Sequence, residues 1–413
     1  MNIPRNQGGA APKQANESLE TGSSPPPYEA AAYPKAQSTR RLCRVFSFRA
    51  ILASLALIFL LGLNAHLGLS FPSALSALNE KRFQAGLASC AAITKLPTRS
   101  NPKDRGQNPR WNAASGQNHT VVLRNATLFD GTDFSEDAVD ITFSRGLITS
   151  VTPSGRAAPA PAGAEEVQLQ GAHVTPGLID MHSHHLVEDW PAVSEIADGN
   201  EMFGGLGPLT PFVRALDSMK AYDVATRLVA SGGVTSSLII PGSANIMGGE
   251  GAVVKNAWRP GPNAEFVVEE LLLEHGLPPS ERRRYMKMAC GENPIGVYKH
   301  TRMGNAWELR KWLARARELV DKQDGWCEAA GGAGSARERA SLLAEKGGFP
   351  EELELDSTVG MLRGQVAMHN HCYEPEDFET MLRISHEFGF RVRAFHHAIS
   401  AWQVPEMLKE YGE

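Results

Sequence analysis

After residue 173, strand-length apolar runs alternate with helical stretches, and three of the runs stop at histidines. The run 174–181 ends at His182, His184 and His185; GQVAMHNH ends at His369 and His371; FRVRAFHHA ends at His396 and His397. Strands alternating with helices make a parallel sheet with crossovers, either an open doubly wound sheet or a closed (β/α) barrel. The histidines separate the two. A barrel converges the C-terminal ends of its strands on one mouth, whereas an open sheet does not gather a first strand and two late ones around one point. We therefore expect an α/β fold of TIM type over 174–413. Its strands lie near 174–181, 234–240, 252–256, 286–290, 365–370 and 391–395, with long helical patterns at 211–233 and 303–323.

In an extended strand, residues two apart share a side, so His182 and His184 address one ion while His185 faces away. Imidazole is the commonest ligand of zinc-like metals. Seven of the thirteen histidines fall in these three clusters, a bias that scattered core or surface histidines do not produce. The pattern predicts a divalent metal, zinc first, as one or two ions.

The chain before the barrel reads as four zones. Residues 1–40 are rich in Pro, Ala, Ser, Gly and Gln without a hydrophobic period, and predict a disordered tail. Inside it, Pro25, Pro26 and Tyr28 form a P-P-x-Y ligand for a WW-domain protein. Arg40, Arg41, Arg44 and Arg49 precede an apolar run at 50–69, long enough for a transmembrane signal anchor. Positive flanks stay cytoplasmic, so the expectation is a single-pass membrane protein with its C-terminal domain lumenal or extracellular. Residues 70–117 read as a stalk or linker, and 119–173 as a small β lobe with turns at Asp130-Gly131 and Ser144-Arg145-Gly146. Acceptor triplets for N-glycosylation begin at Asn118 and Asn125. The formal charge of −5, with no basic domain, argues against nucleic acid as a partner. Five cysteines without a C-x-x-C pair are no disulfide framework, though they leave room for one bridge.

These residues carry a resemblance. TPGLIDMHSH resembles the first-strand metal motif of the amidohydrolase superfamily, and the β lobe with NATLFDGT resembles that superfamily's N-terminal sandwich. PGSANIMGGEGAVVK, CGENP, TRMGNAW, VAMHNH and FHHAISAW resemble its imidazolonepropionase-like branch. The resemblance covers residues 119–413. It implies metal-dependent hydrolysis of carbon–nitrogen bonds other than peptide bonds, with a small-molecule substrate. His182, His184, His369 and His397 would bind metal, and His371 and His396 would support them or touch substrate. His397 is preferred to His396 for its spacing to Ala401-Trp402. Members with two metals need a bridging carboxylate from strand three or four, a Glu or a carbamylated Lys; Glu292 is the first candidate and Lys255 the second. Asn245, Gly248 and Gly249 would shape the pocket. The resemblance also implies a catalytic aspartate at the end of strand eight. Only six barrel strands are legible, so the expected barrel is incomplete (strands one to six of eight), the chain truncated at its C-terminus, and the catalytic residue unknown. The alternative is a catalytically inactive, membrane-anchored scaffold or binding protein.

Overall fold

A computed structural model describes residues 71–96, 108, 119–156, 159–188, 190–191, 197–202, 205–257 and 268–412. The chain forms two compact units, 1–72 and 73–413, and the second holds both β-sheets. The tail with Pro25, Pro26 and Tyr28, the apolar run 50–69 and Asn118 lie outside the described residues. The single-pass membrane expectation is corrected: among the described residues no helix is long and apolar enough to cross a membrane.

The expected stalk begins instead with a helix, α1 (Phe71–Ile93). Phe83 is buried against Trp326, Ala330, Leu342 and Leu343, Glu80 pairs with Arg339 at 2.9 Å, and a disulfide joins Cys90 to Cys327. Cys290 and Cys372 form a second disulfide, so the described residues hold two bridges where the cysteine spacing left room for one.

The small lobe is one mixed sheet rather than a sandwich among the described residues. It contains β1 (Val121–Leu128), β2 (Val139–Ser144), β3 (Leu147–Pro153), β4 (Glu165–Gln168) and β5 (His173–Val174). The order is β3-β2-β1-β4, with β5 also on β1. The β2–β3 hairpin turns on Arg145 and Gly146, both at positive φ (53° and 70°), the geometry that matches strand twist in a two-residue loop. Asn125 sits in a bulge of β1 at φ 57°, where the Asp140 carboxylate accepts its backbone N–H at 2.9 Å. Ala126, Val139 and Ile141 form the lobe's buried core.

The larger sheet contains β6 (Leu178–Ser183), β7 (Val234–Ile239), β8 (Met247–Lys255), β9 (Arg284–Ala289), β10 (Val366–Cys372) and β11 (Val392–His397), in chain order. It curls far enough for rings on its two outermost strands to meet, His182 on β6 and His396 on β11. One feature departs from an all-parallel barrel: β8 runs antiparallel to both β7 and β9. Only residues 240–246 join β7 to β8, and a parallel crossover needs a dozen or more.

Helices cover the outer face. They include α2 (Ala225–Ser231), α3 (Val268–Leu271), α4 (Glu292–Tyr298), α5 (Arg302–Gly332), α6 (Ala336–Lys346), α7 (Asp356–Leu362), α8 (Pro375–Phe388) and α9 (Pro405–Gly412). The helix expected over 211–233 is reduced to a 3-10 turn at Ala215–Asp217 and the short α2. In α5, Leu309, Trp312, Leu313, Ala316, Leu319 and Val320 follow the helical repeat and pack on Met286, Met288, Val366 and Met368 of the sheet. The Thr301 side chain caps α5 by accepting the Gly304 N–H at 3.2 Å. Because Met286 and Met288 face these helices, the period of two turns Lys287 to the concave side.

Candidate active site

Four imidazoles from three strands form a connected chain at the mouth. His182 Nε2 lies 3.2 Å from His184 Nε2, His182 Nδ1 lies 2.6 Å from His396 Nδ1, and His396 Nε2 lies 2.8 Å from His369 Nδ1. The backbone register explains the convergence. Lys287 of β9 is directly opposite His369 of β10, and His371 is opposite His396 of β11. All four therefore share the concave face. A cavity of about 300 Å³ opens between the outermost strands, lined by Met181, His182, Ala394, Phe395, His396 and His397.

The second strand fixes one ring. His184 Nδ1 donates to the Ile240 carbonyl at 2.8 Å, which leaves the lone pair on Nε2, the atom turned toward His182. His185 faces away, held by the Ser183 hydroxyl at 2.6 Å and the Asn256 side-chain oxygen at 3.1 Å.

Burial dominates the electrostatics. It pushes His182 down to about 2, helped by Lys287, His396 and the other imidazoles, and His396 to about 3, helped by His369 and Lys287. His369 falls to about 4, through burial, then Arg393 and Lys287. His184, His371 and His397 are lowered as well, burial being the first cause in each. These rings are neutral at neutral pH, the form that ligates metals. Lys287 is fully buried at 0 % exposure, and its ammonium is pushed down to about 7 by burial, opposed only by Glu188. Its Nζ donates to the Pro241 carbonyl at 3.0 Å.

The structure separates the residues named from sequence. His182, His184 and His369 come together. His396, rather than His397, completes the chain of imidazole contacts. The strand register turns His396 inward, while His397 sits at φ 61° and meets the rings of His182, His371 and Tyr373 edge-on. His371 meets Glu292, with Nε2 2.9 Å from Oε1, and Asn293 Nδ2 approaches the same nitrogen at 3.3 Å. Glu292 thus opens α4 at the rim, paired to His371, and is not the buried strand-four group. Lys255 is excluded from the cluster: it bonds Ser236 at 3.1 Å, three residues before Ile239, which lies level with Ser183. That offset is about 10 Å along the strand. Asn245 is buried below a loop, donating to the Glu201 carbonyl at 2.9 Å and to Thr210 at 3.1 Å. A side chain at Gly249 would collide with Val213. Asn245 thus anchors Glu201 and Thr210, and Gly249 admits the close approach of Val213. Lys287 is the residue missed from sequence, although a lysine between two methionines in RYMKMAC is a charge in a buried strand.

As a test of fit to a divalent cation, the 3.2 Å between His182 and His184 Nε2 atoms matches the ~3.3 Å edge of a tetrahedron built on ~2.0 Å metal–nitrogen bonds. The neutral imidazoles and the neutralisable amine have the right chemistry. Among the described residues, no three His, Cys, Asp or Glu side chains are already grouped to hold an ion, because His396 and His369 turn their nitrogens to neighbouring rings.

A curled α/β sheet with imidazoles at its strand ends fits a (β/α) frame, and comparison with known proteins makes the class specific. No family model matches the chain. The amidohydrolase tasK of Hapsidospora irregularis is 36 % identical over 354 residues, covering 80 % of this chain and 34 % of that protein. An imidazolonepropionase of Methylobacterium sp. (strain 4-46) is 30 % identical, covering 56 % of this chain and 58 % of that one. The crystal structure of an amidohydrolase from Thermotoga maritima MSB8 superposes with a TM-score of 0.57 at 30 % identity, covering 70 % of this chain and 67 % of that one. The chain belongs to the amidohydrolase superfamily. It spans about a third of the length of the tasK relative and over half of the imidazolonepropionase.

Proposed function

We infer that this chain carries a hydrolytic site for carbon–nitrogen bonds other than peptide bonds, in amide or lactam-like small molecules, served by a divalent metal, zinc first. The observation that carries the reading is Lys287, an amine buried directly across from His369 and held near neutrality. His182 and His184 would hold the ion through Nε2, with His369 and His396 turning toward it. Lys287 takes the part expected of Glu292 or Lys255. An amine that is neutral near pH 7 can add carbon dioxide through its nitrogen lone pair, releasing one proton to solvent, and the resulting carbamate would supply the carboxylate oxygen that a strand-four ligand needs. A bound cation of this kind polarises a carbonyl and lowers the pKa of its water. Glu292 and His371 stand at the rim, where they orient a substrate entering the mouth. No proton-transferring aspartate is assigned, since none of the six described barrel strands supplies it.

The test is zinc titration of the metal-free chain, read by competition with a chromophoric chelator, followed by turnover of a panel of small amides and lactams. The reading expects tight binding by the wild type and loss of it in His182→Ala and Lys287→Met. A folded chain that takes up no zinc would refute it. A scaffold or binding role is the alternative, favoured because none of the six described barrel strands supplies the expected strand-eight aspartate; a folded chain that turns over no amide or lactam would support it.

A further inference from the structure

We propose that Cys290 and Cys372 form a redox-responsive positioning pair for the imidazole and lysine cluster. The proposal rests on the metal-site reading above. The two residues lie at the mouth ends of adjacent strands, with Cα atoms 5.3 Å apart and a sequence separation of 82. Both are flanked by the site. Cys290 follows β9, three residues after Lys287 and two before Glu292. Cys372 follows His371 and is opposite His397 in the β10–β11 register. The Cys290 N–H donates to the His371 carbonyl at 2.9 Å, so backbone bond and disulfide tie the same two strand ends.

The crosslink therefore closes the sheet three residues beyond the level where Lys287 faces His369, beside the rim where Glu292 meets His371. The other disulfide does not share this place: Cys90–Cys327 joins α1 to α5 in the satellite core around Trp326. Opening Cys290–Cys372 takes two electrons and two protons from a dithiol, which becomes a cyclic disulfide and leaves two thiols. The reduced state has a partner waiting. Cys290 Sγ lies 3.2 Å from the His371 carbonyl oxygen, so its S–H has an acceptor in place. Reduction exchanges a covalent tie between β9 and β10 for a weak S–H···O bond. Groups that hold metal ligands in orientation change affinity by about 10–100-fold when removed, and this tie orients two strands that carry Lys287, His369 and His371.

The experiment uses the full chain with Cys90→Ser and Cys327→Ser, which leaves one described pair. Alkylation and mass spectrometry count free Cys290 and Cys372 before and after dithiothreitol. The reductant is removed under nitrogen, and zinc affinity is then measured by chelator competition. We expect the pair crosslinked in air, about tenfold weaker zinc binding after reduction, and recovery on reoxidation. Cys290→Ser with Cys372→Ser should bind at the reduced level in both conditions, independent of reductant. Free thiols in the air-oxidised protein, or unchanged zinc affinity in either the opened parent or the double-serine variant, would overturn the proposal. Zinc affinity that also survives His182→Ala would instead overturn the metal-site reading on which it depends.

Discussion

Lys287 offers a direct physical test, because its burial must be visible as a pH-dependent cost. Its ammonium is pushed from the usual 10.5 to about 7. The unfolded chain keeps the proton up to about pH 10.5, while the folded chain releases it near pH 7. Between those values the unfolded state binds more protons, so stability rises with pH. The cost of burying the charge is ~4 kcal/mol at pH 7 and ~2 kcal/mol at pH 9, and it vanishes above about pH 10.5. Lys287→Met removes the charge at similar length but forfeits the bond to the Pro241 carbonyl, worth ~1 kcal/mol. Metal-free Lys287→Met should therefore be ~3 kcal/mol more stable than wild type at pH 7, and the gap should shrink by ~2 kcal/mol at pH 9. Urea denaturation with a chelator present, at both pH values, measures this. A gap that is the same at pH 7 and pH 9, or a variant less stable at pH 7, would refute the buried-ammonium account.

Three further outcomes are expected from the packing and charge. Lys255→Met should leave zinc affinity unchanged, while Glu292→Gln should alter it only modestly; a loss in Lys255→Met comparable to that of Lys287→Met would contradict the strand register. Phe83→Ala should destabilise by ~3–5 kcal/mol, as buried aromatics do when truncated, read as a drop in the urea midpoint; an unchanged midpoint would show that α1 is not docked through Phe83. Metal-free protein should lose stability as pH falls below about 6.5, because the unfolded histidines take protons that His182, His369 and His396 refuse until far lower pH; a flat profile from pH 6.5 to 4.5 in the wild type would argue against neutral buried rings.

Much of the frame was legible because strand ends are marked by chemistry. His182, His184 and His369 terminate apolar runs, and α5 shows an unbroken helical repeat over two-thirds of its length. Other parts depend on information a pattern does not hold. Which of His396 and His397 joins the chain of imidazole contacts is a register question, decided by which residue is opposite His371; which of them would hold an ion is a separate matter, and neighbouring positions look alike until the pairing is known. Lys287 was visible as a charge between methionines, but nothing local says that His369 is opposite it. The helix Phe71–Ile93 has no strong amphipathic signal, and its order comes from tertiary contacts of Phe83 and Cys90. In the 211–233 segment the helical period competes with anchoring contacts: Asp223 accepts the Leu186 N–H at 2.8 Å and the Ala225 N–H at 2.9 Å, which turns the chain before α2.

The reversed strand β8 has a consequence for how this chain tolerates change. In an all-parallel barrel every connection after a strand returns over the mouth. Here β8 enters at the mouth and leaves at the opposite rim, and β9 starts from that same rim. Lys255 and Arg284, where the chain leaves and re-enters the sheet, therefore lie at the rim opposite the mouth. That rim is the place to add sequence, a tag or a reporter domain, without obstructing substrate entry. Residues 240–246, by contrast, sit at the mouth, supply the Ile240 and Pro241 carbonyls to His184 and Lys287, and leave no slack for an insertion.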